Sequence, residues 1–173
     1  QYQRYLAVVP EDFDGILKSA RCYAKLRDHE KAFEFYQRVL NKEPGHEEAL
    51  YLCAVSLSET DREDQAIATL NKLLTINPKH FEGLFLISRL YKKTGQMKKA
   101  AQIIEDIIDE EMEITMLIDL AWIYIYLEEY VKALRTFEKA IEIDRENPEL
   151  WAGLATSAKH LRKWDRALHA YEQ

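Results

Sequence analysis

Alanine recurs along this chain at a nearly constant interval. Ala32, Ala66, Ala100, Ala133 and Ala167 lie 34, 34, 33 and 34 residues apart. A second column keeps the same intervals with large apolar residues, Tyr36, Leu70, Ile104, Phe137 and Tyr171. Such a period restricts the chain more than its length of 173 residues does. It specifies a stack of similar units, each burying its apolar face against the next, in place of one closed globule.

Within a unit the apolar residues follow two helical stripes. Ile16, Ser19, Ala20 and Tyr23 share one helical face, Arg27-Asp28-His29 forms a polar break, and Ala32, Phe33, Tyr36, Val39 and Leu40 make a second stripe. Pro44-Gly45 ends it, because proline cannot continue a helix and glycine accepts a turn. The pattern returns through Leu50, Ala54 and Leu57, then Leu84, Ser88 and Tyr91 with a turn at Thr94-Gly95, then Leu117, Ala121 and Tyr124. Asn147-Pro148-Glu149 opens the last unit, with Asn placed to cap free amides and Pro at the first helical position. Small residues in fixed columns let neighbouring helices approach closely, and large ones fill the space beside them.

Composition agrees with a folded helical protein. Hydrophobic residues make up 47% and charged residues 31%, and five Gly with four Pro leave little room for long loops. A formal charge of −6 argues against nucleic acid, which calls for a basic face. The opening Gln1-Tyr2-Gln3-Arg4-Tyr5 is too polar for a secretory signal. Two cysteines cannot build a structural zinc site alone. Cys53 shares its column with Ile87, Leu120 and Leu154, and Cys22 with Ser56, Leu90 and Ile123, which reads as two reduced thiols packed in helices. A reducing, cytoplasmic setting is the expectation.

These columns resemble the tetratricopeptide repeat, whose pattern of Trp, Leu, Gly, Tyr, Ala, Phe and Pro at fixed offsets is met by Tyr23, Tyr91, Tyr124, Trp151, Leu154, Ala167 and Tyr171. Leu70 and Ile104 replace its aromatic, the third unit is one residue short with Met112 near the expected proline, and Arg145 stands where proline is common. The resemblance implies an all-α, right-handed superhelical solenoid of antiparallel helix pairs. The repeats read as 13–46, 47–80, 81–113, 114–147 and 148–173, the last truncated in its second helix. Tyr2, Leu6 and Pro10 lie 34 residues before Tyr36, Leu40 and Pro44, so 1–12 reads as the end of a preceding repeat and the chain as a segment of a longer array.

Catalytic chemistry has little to stand on. There is no glycine-rich phosphate loop, nucleophile elbow or zinc signature. The five histidines have no metal-ligand spacing and read as solvated or turn residues, so neither cofactor nor metal is expected. The acidic run Glu105-Asp106, Asp109-Glu110-Glu111 and Glu113 reads as a solvated face, or else as a patch for a basic partner. Lys92-Lys93 and Lys98-Lys99 flank a turn, where they oppose a helix dipole or offer an edge to phosphate or RNA.

In the family it resembles, the first helix of each pair lines a concave groove. The implied lining comprises Leu17 and Arg21, then Tyr51 and Val55, Phe85 and Arg89, and finally Ile118, Trp122, Ile125 and Tyr126. From Met116 to Leu127 only Asp119 is charged, so this helix should be covered almost all round. Trp122 either packs on the next unit or joins Tyr126, Phe85 and Tyr51 in an apolar platform. Covering one such aromatic contributes roughly 1.5–3 kcal/mol, against about 0.2–1 kcal/mol for an exposed ion pair. The platform would therefore set affinity, with Arg21 and Arg89 orienting an acidic stretch. Asn41, Asn71, Asn77 and Asn147 fall near second-helix ends or turns, which leaves no asparagine ladder in the groove. The expected function is a non-catalytic scaffold for a protein or peptide, without membrane insertion. Self-association into a homo-oligomer, an RNA-binding array and a non-catalytic arm of a larger enzyme are the alternatives.

Overall fold

The computed structural model describes residues 13–108 and 114–173. The proposed remnant of a preceding repeat (Tyr2, Leu6, Pro10), Met112 and the acidic residues from Asp109 to Glu113 lie outside them. All regular structure among the described residues is helical. The helices are α1 (Phe13–Lys25), α2 (His29–Lys42), α3 (Glu47–Ser58), α4 (Glu63–Ile76) and α5 (Phe81–Lys93). They continue with α6 (Met97–Ile108), α7 (Ile114–Tyr126), α8 (Tyr130–Ile143), α9 (Pro148–His160) and α10 (Trp164–Tyr171). The chain divides into two compact units after Leu90.

In the first unit α1 packs on α2, α2 on α3 and α3 on α4. In the second, each of α6 to α9 packs on the helix that follows it, and α7 also reaches α9. Every contact of this kind is local in sequence, as a repeat array requires.

The alanine column is closed to solvent, with Ala32, Ala66, Ala100 and Ala133 at 0% exposure and Ala167 at 4%. Tyr36, Leu70, Ile104 and Phe137 fill the space beside it and are buried too. A third column of small residues, Ala20, Ala54, Ser88, Ala121 and Ala155, is likewise buried on the first helices. Tyr171 departs from its column and is 61% exposed, because no further helix among the described residues covers the outer side of α10.

One backbone device closes every helix pair. Arg27, Asp61, Gly95, Glu128 and Arg162 all adopt a left-handed conformation, with φ between 53° and 78°. After each of them an amide reaches back to the final turn of the first helix: Asp28 to Tyr23 O, Arg62 to Leu57 O, Gln96 to Tyr91 O, Glu129 to Tyr124 O and Lys163 to Ala158 O. With the tighter-turn bond from Glu128 N–H to Ile125 O (3.0 Å), repeated at Arg27, Gly95 and Arg162, this is the Schellman termination, which satisfies carbonyls that a helix end leaves free. Glycine fills the position once in five.

Histidines also do more than the sequence reading assigned them. His46 caps α3, its Nδ1 accepting the Ala49 amide, and His80 accepts the Gly83 amide at the same distance, 3.1 Å. Asn147 does this for α9 by accepting from the Glu149 N–H, with Pro148 as the first helical residue. At Arg145, where a proline was expected, the main-chain carbonyl accepts a bond from Trp151 Nε1 at 2.8 Å.

Candidate functional site

Two columns of the first helices hold the expected groove residues. One runs Leu17, Tyr51, Phe85 and Ile118; the other runs Arg21, Val55, Arg89 and Trp122. They lie three residues before and one residue after the buried small-residue column, so they flank the buried face, where helical periodicity leaves side chains part-exposed. Tyr51, Val55, Phe85, Ile118, Trp122 and Ile125 are half-buried, and Arg89 is exposed. Leu17 is buried at 7% exposure and offers little surface, whereas Tyr126, at the end of α7, is 67% exposed.

The set is shared between the two units. Leu17, Arg21, Tyr51, Val55, Phe85 and Arg89 belong to the first, and Ile118, Trp122, Ile125 and Tyr126 to the second. In the first unit, Arg21 on α1 is paired with Glu48 on α3. The guanidinium is thereby committed to a neighbouring helix, and a ligand carboxylate would compete with Glu48 for it. Tyr51 packs against His80 with ring centroids 5.4 Å apart. Burial, then the Glu82 carboxylate, raises its phenol above the ordinary value, so it stays a neutral donor. The Arg89 guanidinium lies 6.0 Å from the Phe85 ring centre, within the range of a cation–π contact.

In the second unit Trp122 is held on two sides. Its indole N–H donates to Glu149 of the next pair at 2.8 Å, and its ring meets Phe137 edge-on with centroids 5.5 Å apart. The Trp122–Glu149 bridge has the same spacing in sequence as Arg21–Glu48, 27 residues, so one repeat position links consecutive first helices in both units. Trp122 thus packs on its neighbour and keeps a part-exposed face. Asp119, the one charge on this helix, pairs with Lys92. Tyr124 donates to Glu105, and burial followed by that bond pushes its phenol up.

Three of the four lysines of the proposed basic edge, Lys92, Lys93 and Lys99, find protein partners. Besides the Lys92–Asp119 pair, Lys99 bonds Gln96 at 2.8 Å and lies 5.1 Å over the Tyr91 ring. Cys53 is buried and Cys22 half-buried, both as free thiols. Among the described residues no cluster of three His, Cys, Asp or Glu could hold a metal ion, and no helix is long and apolar enough to cross a membrane.

The bridging carboxylates Glu48 and Glu149 were not singled out as partners from the sequence. The 27-residue spacing of each bridge follows from the offset between neighbouring first helices, which the repeat period does not carry. Nothing in the pattern marks the histidine caps, since His46 and His80 stand where Asn147 stands in the last repeat.

Three tetratricopeptide repeat profiles match the chain, over residues 23–82, 81–110 and 116–147, together more than half of it. A curated relative, anaphase-promoting complex subunit 3 of Schizosaccharomyces pombe, is 23% identical over 155 residues. That alignment takes in 89% of this chain and 23% of the relative, so the chain spans under a quarter of its length. Among solved structures, MamA protein superposes with a TM-score of 0.86 at 16% identity, covering 92% of this chain and 88% of the other. MamA from Desulfovibrio magneticus RS-1 gives 0.85 at 17% identity, over 95% and 94% of the two chains. YrrB, a TPR protein with an unusual peptide-binding site, gives 0.86 at 14% identity over 99% and 91%. At these identities the structures establish the fold.

Proposed function

Taking as premise that this chain belongs to the tetratricopeptide repeat family, we propose that it is a non-catalytic scaffold that binds a protein or peptide on its first helices. The observation that carries this reading is the row of half-buried apolar side chains left at equivalent positions: Tyr51 and Phe85 in one unit, Ile118 and Trp122 in the other. Each keeps a part-exposed face beyond the contacts it makes within the array, and covering that remaining face contributes up to about 1.5 kcal/mol. The peptide-binding site for which YrrB is described supports the same use of the fold. Tyr126 extends the surface of the second unit, and Arg89 adds a positive charge beside Phe85 in the first. Association costs absorb part of the gain, so micromolar affinity is expected.

The test is capture of short peptides with apolar anchors from an array, followed by titration of the best binder. Trp122→Ala and Phe85→Ala should each weaken binding by up to about tenfold with helicity unchanged. Binding that survives both substitutions intact would sink the platform.

A further inference from the structure

The second helices, on the side opposite the first-helix surface, carry a hollow in each unit at the same place in the repeat. In the first unit it lies between α2 and α4, with α3 as its floor, and measures about 490 Å³. In the second it lies between α8 and α10 over α9 and measures about 390 Å³. Gln37 occupies the repeat position of Glu138, Leu50 that of Trp151, and Cys53 that of Leu154, so a single architectural feature is lined by different chemistry.

The chemistry differs in sign. The hollow of the second unit carries Glu138 and Asp165, with Arg166 already paired to Glu138. None of the residues lining the hollow of the first unit is acidic. Its walls are the exposed side chains Gln37 and Asn41 from α2 and Gln65 and Lys72 from α4. Its floor is apolar, made by Leu50, Cys53 and Leu57. Lys72 and Arg62 both act on the Cys53 thiol at this floor, against the burial that raises it, so they are the charges nearest in effect to the hollow. Arg62 itself is occupied, by Glu30 at 3.4 Å and the Phe33 ring at 4.4 Å, which leaves Lys72 as the cation on the open wall.

We propose that the hollow between α2 and α4 is a second binding site, for a short extended peptide segment that ends in or carries a carboxylate. A carboxamide presents a donor and an acceptor together, which is what a peptide backbone asks of a wall. Gln37 and Asn41 supply such pairs on one side, the apolar floor receives one aliphatic side chain, and Lys72 takes the carboxylate. A hollow of this size lies within the range of ordinary small-ligand sites. A phosphate polymer is disfavoured, because a single lysine faces the opening and polyanion binding draws on several cations. This site is independent of the first-helix surface, since it uses other residues on the other side of the pairs.

The test uses the intact chain and two probes: acetyl-Ala-Leu-Ala-Asp with a free carboxyl terminus, and acetyl-Ala-Leu-Ala-Lys amide. Amide shifts in a heteronuclear correlation spectrum should move saturably with the acidic probe along α2 and α4, and not along α8 and α10. Lys72→Glu should weaken the acidic probe about tenfold and admit the basic one. Gln37→Glu, which copies Glu138 into the first unit, should also weaken the acidic probe. All these positions are exposed, so the thermal midpoint should be unchanged. The proposal is overturned by the absence of saturable shifts at millimolar peptide, by shifts confined to Tyr51, Val55 and Phe85, or by indifference to Lys72→Glu. Concentration-dependent shifts in the same helices without peptide, marking contact between copies, would overturn it as well.

Discussion

At the scale of single residues, the left-handed position closing each pair makes the sharpest statement. A side chain there costs about 1–2 kcal/mol of backbone strain that glycine avoids, less glycine's greater entropy in the unfolded chain. Glu128→Gly should therefore raise stability in urea by up to about 1 kcal/mol, and Gly95→Ala should lower it by a similar amount. The sequence marks only one of the five positions, Gly95; Arg27, Asp61, Glu128 and Arg162 carry no signal for φ above zero, because the main-chain bonds that terminate the helix hold a conformation their side chains do not favour. Cys53 supplies a second residue-level test. Burial pushes its thiol from 9.0 up to about 11, against the pull of Arg62 and Lys72. Between those values an unfolded chain has lost the proton that the folded chain keeps, so this group's contribution to stability is full below pH 9 and lost as pH rises towards 11. Iodoacetamide at pH 8 should accordingly leave Cys53 unmodified in the native protein and label it after unfolding, as peptide mapping would show.

At the scale of elements, the fit between helices decides more than helix propensity does. A Cβ on Gly153 would sit 2.1 Å from the Phe137 ring, deep in the contact between α9 and α8. Gly153→Ala should improve propensity and still destabilise by about 1–3 kcal/mol, read from chemical denaturation, since neither helix has room to move apart. The helix pairs themselves were legible from the sequence, because alternating small and large columns can be satisfied in few ways. The Gly153–Phe137 fit was not, as it depends on which atoms of two repeats meet. The same holds for the caps: His46→Ala should cost about 1 kcal/mol of stability by leaving a helix amide unpartnered, although histidine is not a common capping residue. Of the candidate surface, the apolar columns could be read from spacing alone. The bridges that occupy Arg21 and Trp122 could not, because they depend on the offset between neighbouring first helices.

At the scale of the whole molecule, short-range contacts imply that damage stays where it is made. Ala66 is fully buried between helices of the first unit, where a long charged side chain has no space. Ala66→Arg should abolish hydrogen-exchange protection in α1 to α4 while α7 to α9 retain theirs, a result foreign to a protein with one cooperative core. The chain divides into two compact units after Leu90, so the two responses are expected on opposite sides of that point.

The outer hollows add a consequence for how such a chain diversifies. Their rims project from solvent-facing sides of second helices and bear none of the alanine-column packing, so exchanging Gln37 for its counterpart Glu138 alters polarity without touching what holds the array together. Under the proposal for the first hollow, ligand preference and foldedness rest on different faces of one hairpin, and substitution can rewrite the first while leaving the second alone.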